Sequence, residues 1–300
     1  MFHRRSLIAL AAVAALSAPG LALAHRFANA FPTAYREDFS PQVGAEDADM
    51  LLALSPTSPL AVKLYRPLDA GTGILRLKIY NTSKVALSDS LPVLERMGAR
   101  VLDEHPYRIG NNGDTLWIHD LGLQLPADTD IATVKSRFEA LFATAWRGGV
   151  ESDDLNRLVL VTNLDARAIS VLRAYTRYFK QLGFAFSQSY IEAALNKNAS
   201  IAQSIVELFM ARFDPAFAGD RTAAQQQIKQ TLDTALVDSV TAIAGGSATL
   251  FAREGQDFVR IATNVKTKFC FNHDFIPKRS SGFAQNFLAF KRAIRFGCVK

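Results

Sequence analysis

The sequence predicts an α+β fold, in which a small antiparallel sheet with helical cover is followed by an α-helical region. Three observations carry this. Between Leu75 and Leu125 the apolar spacing switches from two to about 3.6 and back, as it does where strands are interrupted by a helix. Gly110, Asn111, Asn112 and Gly113 mark a tight turn between two strand-like runs, because these residues accept the positive φ angles a hairpin needs. After Gly148 and Gly149 the spacing is helical from Asp153 to about Ala242.

Taken in order, Leu60 to Arg66 is the first strand, ending at Pro67 and followed by Gly71 and Gly73. In LRLKIY, Leu75, Leu77 and Ile79 fall on one face and Arg76, Lys78 and Tyr80 on the other, the alternation of a strand with one buried and one wet side. From Ser88, the expected N-cap, a helix carries Leu91, Leu94 and Met97 on one face and stops at Gly98, with Pro92 tolerated near its first turn. Strands around Val101 and Trp117 follow. Asp128 or Asp130 caps the next helix, in which Ile131, Val134, Phe138, Leu141 and Ala145 repeat at helical spacing. The expected core is built around Leu77, Leu94, Trp117 and Phe138. In the helical region Asp165, Ser187, Ser200 and Asp220 are the expected caps. Ile169, Leu172, Tyr175, Phe179 and Leu182 make one apolar stripe there, and Arg167, Arg173, Arg177 and Lys180 read as a solvated face rather than a nucleic-acid surface.

With 300 residues, 49% hydrophobic and 21% charged, the chain is neither disordered nor a coiled coil, and it is long enough for one large domain or two ordinary ones. Its formal net charge of +6 is uneven: residues 253–300 hold ten Lys or Arg against three Asp or Glu, leaving −1 for everything before. That basic tail is rich in Phe and shows no sustained helical period, so residues 243–300 are expected to be poorly ordered. Its interleaved aromatics and cations could stack on single-stranded nucleic acid, but a poorly packed end is the preferred reading. Cys270 and Cys298 are too few to define a disulfide framework. At the start, Arg4 and Arg5, an apolar run from Leu7 to Leu16, and Ala22 to Ala24 have the three parts of a secretory signal. Ten helical residues rise about 15 Å, half of a bilayer core, so no stable membrane span is expected.

Motifs of reactive chemistry are missing from the string: no glycine-rich dinucleotide turn, no Walker loop, no His-Glu-x-x-His and no Gly-x-Ser-x-Gly elbow. One constellation bears weighing. Asp103, Glu104 and His105 lie on one strand and His119 and Asp120 on the next. A three-residue loop sets His105 opposite His119, and a shift of one residue sets it opposite Asp120. Two histidines with a carboxylate could hold zinc, though cross-strand polar pairing explains the same residues, and no metal site is assigned.

Several ordered segments resemble a known family. FPTAYREDFSP (Phe31 to Pro41), PLAVKLYRP, LRLKIY, LSDSLPVLERMGARVLDEHPYRI, LWIHDLGL, FEALFATAWRGGVESDDLNRLVL, LRAYTRYFKQLGFAFSQSYIEAAL and LFMARFDP are similar to the large bacterial NAD-specific glutamate dehydrogenase, in the part upstream of its catalytic domain. The resemblance runs from about Phe27 to Pro215. It implies that the sheet is ACT-like (ferredoxin-like), similar to the third ACT-like module of that enzyme, and leads into a helical region. The implied organisation is a signal-like apolar segment at 1–24, a helical lead-in at 25–57, the ACT-like α+β domain at 58–149, an α-helical region at 150–242 and the tail at 243–300.

What the resemblance implies for function follows from the same placement. The family oxidatively deaminates L-glutamate to 2-oxoglutarate with NAD, in amino-acid catabolism, but nothing here corresponds to its catalytic lysines or its nucleotide-binding portion. The chain is therefore expected to be a fragment with regulatory or assembly surfaces, without catalytic, cofactor-binding or metal residues of its own. Expected partners are a second copy or the remaining dehydrogenase domains, with an amino-acid effector possible and no nucleic acid. The family location is the cytoplasm, in tension with the signal-like start, which leaves export as the alternative. Two other readings stay open. One is a stand-alone amino-acid-binding module with Asn81, Ser83 and Lys84 as the polar candidates; the other is an exported helical adaptor.

Overall fold

The computed structural model describes residues 27, 29–67, 74–111, 114–127, 129–183, 186–244, 249–254 and 257–263. The signal-like segment at 1–24, Asp128 and the tail beyond residue 263 lie outside them. The described residues form two compact units: one holds those up to Leu172 together with Glu192–Ala199, and the other holds those of Arg173–Ile191 and those from Ser200 to Thr263.

In the first unit, helices α1 (Thr33–Asp38) and α2 (Pro41–Leu52) precede strands β1 (Leu60–Tyr65) and β2 (Ile74–Asn81). Helix α3 (Leu87–Arg96), strands β3 (Arg100–Asn111) and β4 (Asp114–Gln124) and helix α4 (Ile131–Trp146) follow. The four strands make one antiparallel sheet in the order β1-β2-β4-β3. Because β4 lies between them, β2 and β3 run parallel across it, and β2-α3-β3 is a split βαβ unit. This is the strand order of a ferredoxin-like sheet with one change. The edge place beside β2, which a strand following α4 ordinarily takes, is filled by β1, which comes before.

The alternation foreseen for β2 is real, but its second side is not wet. Leu75, Leu77 and Ile79 are buried, and so are Lys78 and Tyr80. Cross-strand partners share a face, which assigns the rest: Leu64, Leu121 and Leu123 lie with Leu77, while Lys63, Tyr65, Asp120 and His105 lie with Lys78. The first face is covered by α3 and α4 through Leu94, Met97, Val134, Phe138, Leu141 and Phe142. Over the second face lies the segment before β1, whose Phe27, Phe31, Tyr35, Ala48 and Leu51 cluster with Tyr80, Tyr107, Ile109 and Ile118. The result is three layers with the sheet in the middle, which is why both sides of one strand can be buried.

Local chemistry explains most boundaries. Asp130 caps α4, accepting from Ala132 N–H at 3.0 Å. Gly98 takes φ 82°, and the Ala99 N–H reaches back to Leu94 C=O, closing α3 as expected. At its other end α3 departs from expectation. It starts after Ala86 with no side-chain cap, so Ser88 lies inside it and Pro92 falls in its second turn. Trp117, expected in the core, is half-buried; it stacks on the His119 ring at 5.9 Å.

The helical region comprises a 3-10 turn at Asp154–Arg157 and helices α5 (Leu158–Val161), α6 (Ala166–Gln181), α7 (Gln188–Lys197), α8 (Ala199–Phe213) and α9 (Arg221–Ala244). Asp165, Ser187 and Asp220 accept from amides of the first turns of α6, α7 and α9, as expected. Ser200 does not cap; it sits within α8. Along the α6 stripe Ile169 and Leu172 are buried, but Tyr175 and Leu182 are exposed. Arg173, read as solvated, is buried. Within the tail expected to be poorly ordered, β5 (Thr249–Glu254) and β6 (Asp257–Thr263) form a two-stranded antiparallel sheet.

Candidate functional site

The chemistry of the first unit is concentrated on the second face of the sheet, in rows fixed by strand register. Ala61, Tyr80, Ile118 and Tyr107 form an apolar row; Lys63, Lys78, Asp120 and His105 form the next; Tyr65, Arg76, Gly122 and Asp103 form the third. Helix α2 meets this grid with its own acids. Asp47 lies on the buried stripe made by Gly44, Ala45, Ala48 and Leu51, three residues on from Gly44 and four before Leu51. Fully buried, it accepts hydrogen bonds from Tyr35 Oη, Lys78 Nζ and, at 2.7 Å, Tyr80 Oη. The neighbouring Glu46 pairs with Lys63 at 2.5 Å, and Asp38 accepts from Tyr107 Oη at 2.5 Å.

A second carboxylate centre lies beside the first. Asp120 accepts from Arg76 Nε at 2.7 Å and from Tyr65 Oη at 3.1 Å. Arg76 extends its other nitrogen to Asp103 at 2.9 Å. Gly122 makes this possible, because a Cβ there would stand 2.6 Å from the Asp103 carboxylate. Burial raises the Asp120 carboxyl above the ordinary range, against the pull of Arg76 and Lys78. For Lys78 burial is again the largest effect and lowers its pKa, with Asp47 pulling the other way. Tyr35, Tyr65 and Tyr80 are all pushed up, first by burial and then by the carboxylates they bond. The phenols therefore stay protonated and serve as donors. The Lys78 ammonium also stands 3.7 Å from the centroid of the Phe39 ring.

The His–carboxylate constellation is taken apart by the register. His105 pairs with Asp120, the second of the two alignments, and His119 with Pro106, which puts the histidines on opposite faces. Both His119 nitrogens are in use: Nε2 accepts from Val85 N–H at 3.1 Å, and Nδ1 donates to Glu104 Oε1 at 2.6 Å. Among the described residues no group of three or more His, Cys, Asp or Glu could hold a metal ion. The polar candidates Asn81, Ser83 and Lys84 lie at the end of β2 and just after it. Asn81 is buried and its Oδ1 accepts from Ser83 N–H at 3.2 Å, while Lys84 Nζ lies 5.7 Å from the Trp117 ring centroid. Asp47, Tyr35 and Tyr65 were not foreseen. The signal was available for one of them, an Asp placed on the apolar stripe of a helix.

A four-stranded antiparallel sheet of this order, with helices on both sides, is that of an ACT-like α+β module. The comparisons agree. Residues 17–54 match "Glutamate dehydrogenase, helical motif 2", residues 59–135 match "Glutamate dehydrogenase, ACT3 domain" and residues 150–215 match "Glutamate dehydrogenase, helical motif 3". NAD-specific glutamate dehydrogenases of Pseudomonas aeruginosa and Halomonas elongata are 41% and 36% identical over 217 residues, 70% of this chain but 13% and 14% of theirs. That of Mycobacterium tuberculosis is 31% identical over 243 residues, 78% of this chain and 15% of its own. The chain belongs, through its non-catalytic ACT3 and helical-motif segments, to the NAD-specific glutamate dehydrogenase family. It spans about one seventh of the length of these relatives.

A Rossmann-type dinucleotide site needs adjacent parallel strands with a glycine-rich turn opening onto a helix. Here every neighbouring pair of the four-stranded sheet is antiparallel, and the turn from β2 to α3, residues 82–86, contains no glycine.

Proposed function

We propose that this chain supplies regulatory or assembly surfaces of an NAD-dependent glutamate dehydrogenase, which oxidatively deaminates L-glutamate to 2-oxoglutarate and ammonia, and that it does not carry the reacting centre. The observation that supports this best is the succession of three family segments, helical motif 2, ACT3 and helical motif 3, in one chain and in that order. The physical role is scaffolding. The buried Asp47, with the exposed Asp38 and Glu46, fixes α1 and α2 on the sheet, and the helical region follows the sheet in the chain. Hydride transfer needs a pocket for both glutamate carboxylates and a site that holds nicotinamide against the substrate carbon; those groups belong to other parts of the enzyme.

Two measurements test the reading. Purified chain is expected to give no glutamate-dependent NAD reduction, and turnover by it alone would refute the proposal. Substituting residues 27–215 for the matching region of the Pseudomonas aeruginosa enzyme is expected to preserve measurable glutamate oxidation; a soluble but inactive chimera would count against it. Residence in the cytoplasm belongs to the same proposal, and no helix among the described residues is long and apolar enough to cross a membrane. Intact Met1 on the purified protein supports it, whereas a product beginning at His25 would point to export. Titrating amino acids into the chain by calorimetry addresses Asn81, Ser83 and Lys84 as effector contacts, with heat that disappears in Lys84→Ala as the supporting result.

A further inference from the structure

An edge strand presents a row of unpaired N–H and C=O groups, and a second sheet can add to it. In β1 the outward row belongs to Leu60, Val62 and Leu64, which alternate with the residues bonded to β2. Helix α4 lies along this row and takes up a group at each of its ends. Glu139 Oε1 accepts from Leu64 N–H at 2.6 Å, and Arg147, the residue that ends α4, donates from Nη2 to Leu60 C=O at 3.0 Å. The two side chains are eight residues apart, about 12 Å along a helix, and their targets are four residues apart, about 13 Å along a strand. The spacings match when helix and strand run in opposite directions, so one helix can hold both ends of one edge.

We propose that α4 is an edge guard, in which Glu139 and Arg147 occupy two outward backbone groups of β1, Leu64 N–H and Leu60 C=O, and prevent a second copy of this chain from pairing with it strand to strand. The opposite edge is blunted by other means. In β3 the outward row includes Gly110, whose N–H already donates to Ala30 C=O at 3.1 Å, and Pro106, which has no N–H to give. A register irregularity between Val101 and Asp103 interrupts the near end of the same strand. Both edges of the sheet are thus closed to extension by a second sheet. The guard acts on the sheet itself, whatever larger protein the sheet serves, so its failure and that of the dehydrogenase reading are separable.

The test is amide hydrogen exchange on the full chain, read as the ratio of exchange at Leu64 to exchange at Ile118 in the centre of the sheet. In Glu139→Ala/Arg147→Ala at concentrations where it is monomeric the ratio is expected to rise about tenfold, the size of one lost hydrogen bond; at higher concentration sedimentation is expected to show a dimer, and a double variant that stays monomeric overturns the proposal. Glu139→Gln, whose amide oxygen still accepts, is expected to keep the wild-type ratio and mass. An unchanged ratio in the double variant overturns the proposal. So does wild-type protection of Leu64 that increases with protein concentration, because a second copy would then be pairing at that edge.

Discussion

Beneath α3 and α4 the sheet presents Leu75, Leu77, Ile79, Leu121 and Leu123; beneath α1 and α2 it presents Arg76, Lys78, Tyr80 and Asp120. Both faces are buried, but they are held by different physics. On the apolar face, burial is favourable for any side chain of suitable volume, whichever helix supplies the neighbours. On the polar face, burial is tolerable only because each charge meets a partner, and the decisive partner of Lys78, Asp47, lies 31 residues away. Strand alternation thus reports which residues share a face and says nothing about whether that face is wet.

The largest expected effects compare the two faces directly. Phe138→Ala opens a cavity under the apolar face and is expected to cost about 3–5 kcal/mol in chemical denaturation. Asp47→Ala is expected to cost about 3–5 kcal/mol by another route, since it strands a buried ammonium and two phenols. Lys78→Met should cost clearly less than Asp47→Ala, because Asp47 keeps Tyr35 and Tyr80 as donors. Equal costs for Lys78→Met and Asp47→Ala would contradict the placing of Asp47 at the centre of the polar face. Gly122→Ala pushes the Asp103 carboxylate off Arg76; Asp103 is half exposed and can swing away, so about 1 kcal/mol is expected from a urea titration.

The smallest effect is a pH slope. The Asp120 carboxyl titrates above its ordinary 3.8 in the folded chain, so the folded state holds this proton to higher pH than the unfolded state does. Its contribution to stability is full below pH 3.8 and is lost as pH rises through the folded value. Glu139, also raised by burial, has the same sign, and Glu46, lowered by Lys63, has the opposite one. Subtracting the stability profile of Asp120→Asn from that of the wild type isolates the Asp120 term. A difference that grows as pH rises would contradict it.

How much of this was legible depends on how far apart the interacting residues are. The β2, β3 and β4 runs, the Asp130 cap and the Gly98 stop were readable because each depends on residues within a few positions. The hairpin register was left between two alignments, since one residue more or less in the turn changes it; the observed pairing of Asn111 with Asp114 brings Asp120 opposite His105. The N-terminus of α3 was misplaced because Ser88 is a good cap in isolation, whereas the helix begins at Leu87 without a side-chain cap. The candidate site was mostly illegible. Asp47, Tyr35, Tyr65 and Asp120 come from four separate elements, and only the third layer brings the first two over the sheet. Arg173 was read as solvated from its place beside an apolar stripe, yet it is buried.

The guard on β1 also has a place in time. Leu64 and the Glu139 carboxylate that receives its amide are 75 residues apart, and the ribosome adds about 5–20 residues each second. For roughly 4–15 s of synthesis the nascent chain holds a strand whose outer rim has nothing to bond, so crowded polysomes are where neighbouring copies of this protein have their best opportunity to join by mistake.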